Sequence, residues 1–328
     1  MFDPSIVGHK DIREHLLKEI LAERLGKSII FSGPNCIGKR RVALELAKRE
    51  TCVSYNACGQ CSSCAMFTEP IPTELPNLLR IAPDGKAGLI RIGAIRGDDL
   101  VNGGVIQWAH RASLSNYHRW IIIEDAHRLN STSANIILKI LEEPPIGTHF
   151  ILVTHYPEAV ISTIRSRCER INFKYLSNDE TWTVAKKAGW KDEKRELWTT
   201  LSSGTFSYLD KDSFQRIFNQ INAWISLLKK IPFSNLYDHM LPKKDIGISQ
   251  NEQLHKSLEL LLLILSDINR CRNNRPIRLK SWLADIQQLS TSELSIKEPQ
   301  VKLFKSLRNT IRNPNPESII REIATSLQ

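Results

Sequence analysis

One segment of the chain nearly matches a phosphate-binding loop. The segment GPNCIGKR, residues 33–40, places Gly33, Gly38 and Lys39 in the Walker A spacing G-x-x-x-x-G-K. In that motif the next residue is Ser or Thr, whose hydroxyl helps to hold the Mg²⁺ that bridges nucleotide phosphates. Arg40 stands there instead and has no hydroxyl. The loop therefore predicts a phosphate cradle with weakened metal binding, and the alternative is a glycine-rich turn that binds nothing.

Two carboxylates follow a run of three isoleucines, in the position of Walker B acids. The segment IIIED ends in Glu124 and Asp125, whereas the usual order is Asp and then Glu. The swap shifts each carboxylate by one methylene relative to a bound metal and the attacking water. Because catalytic geometry tolerates such shifts poorly, this order predicts impaired hydrolysis.

Four cysteines form the most specific local pattern in the chain. Cys52, Cys58, Cys61 and Cys64 have the spacing C-x5-C-x2-C-x2-C. Four thiolates suit tetrahedral Zn²⁺, and each C-x2-C pair lets a tight turn present two sulfurs to one ion. No His and carboxylate set lies nearby, so the pattern predicts a structural zinc site. The alternatives are a redox-active pair or two disulfides.

Arginine is concentrated in two further places. The segment STIRSRC carries Arg165 and Arg167 directly before a predicted strand. Taken alone, each arginine is predicted to be a charge on the surface. The stretch 270–280, RCRNNRPIRLK, contains five basic residues and no acid. It faces either a polyanion or solvent. The formal net charge of +10 permits contact with nucleic acid or an acidic protein.

Alternating strand and helix patterns position these residues. Apolar runs predict buried strands in KSIIFSG and at residues 120–126, 149–155 and 168–173, with amphipathic helices between them. This alternation predicts an α/β fold with a parallel sheet and helices on both faces. After residue 175 the patterns are helical. We therefore predict an α/β domain over 1–173, a small helical domain over 174–213 and a helical domain over 214–328.

The composition limits where the protein acts. Hydrophobic residues make up 41% of the chain and charged residues 24%, as in ordinary soluble domains. The apolar run at 260–265 is far shorter than the roughly 20 residues that span a bilayer. The first residues, MFDPSIVGHK, lack the pattern of a secretory signal. We expect a cytoplasmic protein without a membrane partner.

Taken in order, these motifs resemble those of bacterial clamp loaders, a branch of the AAA+ family. GPNCIGKR, the cysteine insert, WIIIEDAHRL, SANIILKILEEPP, HFILVTH and STIRSRC follow one another as they do in that branch. Within it, the pattern is most similar to delta-prime-type subunits of DNA polymerase III. The matching motifs all lie within residues 5–173. From there to the end of the chain, the length and the helical character match. The resemblance implies an AAA+ core with a zinc module at 52–64, then a helical lid and a helical collar.

The resemblance also assigns roles to residues. Delta-prime-type subunits serve as a scaffold while neighbouring motor subunits hydrolyse ATP, and the arginine of their SRC motif reaches a neighbour's γ-phosphate. This implies that Arg167 is an arginine finger acting in trans. Thr154 falls at the sensor position after the third predicted strand, and Ser207 replaces the sensor arginine of the lid. These implied roles and the loop predict a degenerate nucleotide site without hydrolysis, formed by Gly33, Gly38, Lys39, Arg40, Glu124, Asp125 and Thr154.

The implied partners are gamma/tau-type motor subunits and a delta-type subunit in a hetero-oligomer. The sliding clamp and primed DNA are reached through that complex. One alternative is an independently active AAA+ ATPase of DNA metabolism, which Arg40 and Ser207 disfavour. Another is a zinc-containing DNA-binding module unrelated to clamp loading, which the EEPP and SRC segments disfavour.

Overall fold

The computed structural model of the 328-residue chain describes most of it, in several ranges. The chain divides into two compact units. The first comprises Met1–Lys187 and Ser202–Ser207, and the second comprises Ala188–Leu201 and Tyr208–Gln328. The predicted division into three domains stays a prediction. The described residues are 3, 5–68, 71–84, 88–90, 92–97, 104–110, 118–206, 211–230, 250–292 and 316–327.

A six-stranded sheet forms the centre of the first unit. Its spatial order is β2-β3-β4-β5-β1-β6, and all neighbours are parallel except β2 and β3. The four predicted strands are present as β1, β4, β5 and β6, so the predicted α/β fold with a parallel sheet is confirmed. The strands β2 and β3 were not predicted. The bounds are β1 Ser28–Ser32, β2 Glu74–Leu75, β3 Leu78–Ile81, β4 Arg119–Ile123, β5 Thr148–Thr154 and β6 Glu169–Asn172.

Helices cover both faces of this sheet because its strands are apolar on both sides. Successive strand residues point to opposite faces, so Ile29 and Phe31 join one buried cluster and Ile30 joins the other. The first cluster includes Val42 of α2 and the second includes Ile137 of α6. The helices of the first unit are α1 Lys10–Leu21, α2 Lys39–Thr51, α3 Ser62–Ala65, α4 Ile92–Arg96, α5 Gly104–His110, α6 Ser131–Glu142, α7 Ser162–Arg165 and α8 Asn178–Lys187.

The second unit is helical in its described residues. Trp224 is fully buried there, and its indole N–H donates to the carbonyl and hydroxyl oxygens of Ser257. None of the described helices is long and apolar enough to cross a membrane. The remaining helices are α9 Arg195–Ser202, α10 Lys211–Leu228, α11 Gln250–Arg272, α12 Leu283–Ser290 and α13 Pro316–Leu327.

The basic stretch 270–280 makes many contacts within the protein. Buried Asp267 accepts hydrogen bonds from the backbone N–H and the Nε of Arg278, at 2.8 and 2.9 Å. Arg270 donates to the Pro276 carbonyl, and Arg272 donates to the carbonyls of two serines near the end of α12. Much of this positive charge therefore stabilises the turn after α11.

A buried histidine in β5 makes the stability of the first unit depend on pH. His149 is 7% exposed, stacks on Trp120 and lies 3.2 Å from a ring nitrogen of His118. Burial, followed by the charges of His118 and Lys27, lowers the His149 pKa to about 4. The folded state therefore keeps this ring neutral, and the unfolded state, with a pKa of about 6.5, binds the proton first.

We expect this stabilisation to be complete above pH 6.5 and to be lost as the pH falls toward 4. Wild type should lose about 3 kcal/mol more unfolding free energy than His149→Phe between pH 7 and pH 4. Urea denaturation of both proteins measures the difference, and His15→Ala, which removes an exposed histidine of α1, is the control. Parallel pH profiles for wild type and His149→Phe would contradict this expectation.

Candidate nucleotide site and four-cysteine cluster

The predicted phosphate loop lies at the carboxyl edge of the parallel strands. β1 lies between β5 and β6, and Gly33 follows it directly. Gly33 has φ 138°, and a Cβ there would lie 2.3 Å from the carbonyl oxygen of Phe173. Gly38 has φ 100° at the N-cap of α2. Both positions require glycine, so the loop and helix start have the form that the motif predicts.

The side chain of Lys39 folds back onto the backbone of the phosphate loop. This side chain is buried, and Nζ donates to the carbonyl oxygens of Gly33, at 2.8 Å, and Pro34. Burial lowers the Lys39 pKa to about 8, although the charges of Cys36 and Asp125 oppose that shift. The amine therefore remains mainly cationic at neutral pH, and a bound phosphate would have to draw it away from these carbonyls.

Two arginines hold the first carboxylate of the Walker B pair. Arg80 of β3 donates to Glu124 Oε1 from Nε at 3.0 Å and from Nη2 at 2.7 Å. Arg40 Nη1 lies 3.5 Å from the other oxygen, Oε2. The residue that replaces the metal-binding hydroxyl thus places a positive charge beside the carboxylate that would help to hold Mg²⁺. A cation that approaches Glu124 would be repelled by the guanidinium groups of both Arg40 and Arg80.

The second carboxylate contacts histidines. Asp125 adopts φ 48°, and its Oδ1 lies 3.3 Å from His155 Nδ1. Burial opposes ionisation of Asp125, but the hydrogen bond with His155 and nearby positive charges outweigh it and lower its pKa. His127 Nδ1 lies 3.1 Å from Thr154 Oγ1, which also accepts the Tyr156 backbone N–H. The predicted sensor residue Thr154 is therefore at this edge, next to a histidine.

The predicted lid residue lies outside the described part of the chain. Ser207, the predicted substitute for a sensor arginine, is one of the residues that the structure does not describe. The preceding residue, Phe206, donates its backbone N–H to the carbonyl of Cys36 at 2.6 Å. The chain therefore reaches the phosphate loop one residue before Ser207.

Arg167 lies at the surface beyond α7. Its Nε donates to Glu142, the last residue of α6, and its Nη1 donates to the Thr163 carbonyl at 2.8 Å. The side chain is 31% exposed. Arg165 pairs in the same way with Glu158. Both arginines of the segment STIRSRC thus have a glutamate partner.

The four predicted metal ligands meet in one cluster. Their four sulfur atoms all lie within 4.8 Å of one another, in Cys52, Cys58, Cys61 and Cys64. None is in a disulfide, since all seven cysteines of the chain are free and the Cys58 and Cys64 sulfurs are 3.9 Å apart. The disulfide alternative therefore disagrees with the structure, and four closely spaced thiols are able to hold a metal ion.

Backbone amides surround these sulfurs. The N–H groups of Cys58, Cys61 and Cys64 each donate to a cysteine sulfur at 3.4 Å. Burial raises the Cys52 pKa, but backbone N–H groups outweigh this and lower it to about 6. Amides that stabilise thiolates suit a zinc ligand set, because the thiolate is the form that binds metal.

Comparison with known proteins supplies the family. Residues 8–177 match the family model described as DNA polymerase III, delta subunit. The chain belongs to this family. A DNA polymerase III subunit gamma/tau from Mycobacterium tuberculosis is 31% identical over 181 residues, which are 52% of this chain and 28% of the relative. A delta' subunit from Pseudomonas aeruginosa is 33% identical over 142 residues, covering 42% of this chain and 40% of the relative.

These matches confirm the predicted membership of the clamp-loader branch of DNA polymerase III subunits. The chain spans less than half the length of the curated relatives it matches. A solved gamma-subunit-related protein from Thermotoga maritima aligns over 95% of this chain and 97% of its own, at 19% identity and a TM-score of 0.45.

Three side chains at the candidate site of this DNA polymerase III family member were not predicted from the sequence. Arg80 lies on β3, one of the strands that the sequence did not predict. His127 lies four residues after β4, and His155 directly follows β5, at the same strand ends as Glu124 and Thr154. Since carboxyl ends of parallel strands meet at one edge of a sheet, that position was the available signal for the histidines.

Proposed function

We propose that this chain is a non-hydrolysing, delta-prime-type subunit of a DNA polymerase III clamp loader. In this proposal it acts in DNA replication, where it helps motor subunits to load a sliding clamp onto primed DNA. Family membership supports the replication role, and the Arg40–Glu124–Arg80 arrangement supports the lack of hydrolysis. That arrangement is the observation on which the proposal chiefly depends.

The absence of turnover follows from the metal position. Phosphoryl transfer in P-loop enzymes uses Mg²⁺, held by the loop hydroxyl and a Walker B carboxylate, to neutralise charge on the phosphates. Arg40 removes the hydroxyl, and both oxygens of Glu124 face guanidinium groups. Asp125, which would position the attacking water, is paired with His155. Among the described residues the phosphate loop is kept, and Glu124, the carboxylate that would help to hold Mg²⁺, is already paired with two arginines.

In this proposal, Arg167 is the residue that takes part in ATP hydrolysis at a neighbouring subunit's site. Its guanidinium lies at the surface, held to Glu142 and to a backbone carbonyl. These contacts keep the side chain in place before assembly, and a neighbouring subunit's γ-phosphate would compete with Glu142 for it. A guanidinium at that phosphate stabilises the charge that develops during transfer.

The four cysteines hold a structural zinc ion in this proposal. The cluster begins directly after α2, whose buried face packs against the sheet. A zinc ion would tie the loop 52–64 to the end of that helix. Its chemistry there is coordination of four thiolates with no open position, so it contributes stability and no catalysis.

The partners follow from the relatives. Their names identify gamma/tau and delta' subunits of DNA polymerase III. We propose that this chain joins gamma/tau-type motor subunits and a delta-type subunit in a hetero-oligomer. It would act on the sliding clamp and primed DNA through that complex.

Hydrolysis by the isolated chain tests this proposal. With ATP and Mg²⁺ we expect a turnover at least about 10³-fold below the 1 per second at the low end of ordinary enzymes. Lys39→Met, which removes the loop cation, measures the background from co-purifying ATPases and should give the same rate. A turnover near 1 per second that Lys39→Met abolishes would support the alternative, an independently active AAA+ ATPase.

A further inference from the structure

A second group of metal-ligating side chains lies apart from the cysteines. Asp125, His127 and His155 each place one ligand atom within 4.8 Å of the other two. Asp125 Oδ1 and His155 Nδ1 are 3.3 Å apart. Two ligands at about 2.0–2.1 Å from a tetrahedral ion are themselves about 3.3–3.4 Å apart. This pair therefore already has the separation that a shared metal ion requires.

The fold brings these side chains together from two neighbouring strands. Asp125 and His127 follow β4, and His155 follows β5, its parallel neighbour. The two imidazole rings meet edge to face, with centroids 4.5 Å apart. The His155 side chain is 9% exposed and that of Asp125 is 38% exposed. The group is thus half-buried, with the carboxylate as its more exposed member.

A supporting contact orients one ligand. His127 Nδ1 lies 3.1 Å from the Thr154 hydroxyl, which is itself fixed by the Tyr156 backbone N–H. Metal-binding histidines commonly have such a partner, which sets the ring orientation. Thr154 therefore acts here as a positioning residue.

We propose that Asp125, His127 and His155 form a second metal site, for a late first-row transition ion such as Zn²⁺, Co²⁺ or Ni²⁺. Two imidazole nitrogens and one carboxylate suit these ions, whereas Mg²⁺ prefers an all-oxygen octahedron. Three protein ligands leave a fourth position for water. Glu124 is not part of the site, because its oxygens face Arg40 and Arg80. The site does not depend on whether the chain hydrolyses ATP.

Cobalt titration of the full chain tests this site. Protein with one zinc per chain at the cysteines is titrated with Co²⁺, and visible absorption reports coordination. We expect one further equivalent, without the thiolate-to-cobalt charge-transfer band that exchange at the cysteines would produce. Zinc content, measured afterwards, should remain at one per chain.

Variants assign the second equivalent to these residues. His155→Ala and Asp125→Asn should each weaken Co²⁺ binding at least about 10-fold, since even supporting residues of metal sites have effects of that size. His110→Ala removes an exposed histidine of α5 and should leave binding unchanged. Two different ligand variants, each with retained zinc, separate loss of a ligand from loss of folding. The proposal is overturned if wild type binds no second equivalent, if both ligand variants keep it, or if His110→Ala loses it as well.

Discussion

Cys61→Ala is expected to release zinc and lower the melting temperature of the first unit by about 10 °C or more. The Cys61 sulfur accepts the Cys64 backbone N–H at the start of α3, so its loss removes a metal ligand and a helix cap together. Cys52 and Cys64 are buried beside it and would be left with unpaired thiols. Because the cluster begins directly after α2, we expect the disturbance to reach the sheet.

Elemental analysis and thermal unfolding measure this result. Wild type should contain about one zinc per chain at the cysteines, and Cys61→Ala should contain about one zinc per chain less. Cys271→Ala, which alters a half-buried cysteine of α11 in the second unit, should keep both the zinc and the melting temperature. Wild-type protein without zinc, or Cys61→Ala protein that keeps it, would show that the cluster is not a structural zinc site.

Arg167→Ala is expected to leave the chain folded and able to assemble, and to reduce ATP hydrolysis by the assembled clamp loader. The side chain is at the surface, and its contacts are to Glu142, Thr163 and Ser166, so its loss leaves no buried group unpaired. An arginine finger is worth roughly 10³ to 10⁵ in rate at the one site it serves. The loss for the whole complex should be smaller, because other motor sites would keep their own fingers.

Arg165→Ala is the matched control for this variant. Arg165 lies two residues earlier, is exposed to a similar extent and has its own glutamate partner, Glu158. A general effect of removing positive charge from this surface would appear in both variants. A specific role in trans would appear in Arg167→Ala alone.

Local sequence patterns predicted most of the sheet and the loop. The apolar strands β1, β4 and β5 are buried throughout, and glycine at positions 33 and 38 meets backbone constraints that the motif already implies. The edge strand β2 and its neighbour β3 have two and four residues, too few for a clear pattern. Central strands of five to seven residues were therefore predictable from their apolar runs, and the four-residue edge strand β6 was also predicted.

Local sequence patterns could not predict which charged side chains of the site pair with one another. Arg80 and Glu124 are 44 residues apart, and Arg167 and Glu142 are 25 apart, so each pair exists only in the folded chain. The sequence shows only that Arg40 replaces a residue with a hydroxyl. The structure adds that its guanidinium lies near the predicted Walker B carboxylate of Glu124. The proposed lack of hydrolysis therefore has its stronger support in tertiary contacts.

DNA-dependent ATP hydrolysis by the reconstituted complex tests the central claim most directly. Motor and delta-type subunits, the clamp and primed DNA are combined with no added chain, wild type, Arg167→Ala or Arg165→Ala, and assembly is checked by gel filtration. We predict that wild type and Arg165→Ala support similar rates, and that Arg167→Ala assembles normally but supports a clearly lower rate. An Arg167→Ala complex that assembles and hydrolyses ATP as fast as wild type would contradict the proposed action of this chain on a neighbouring site.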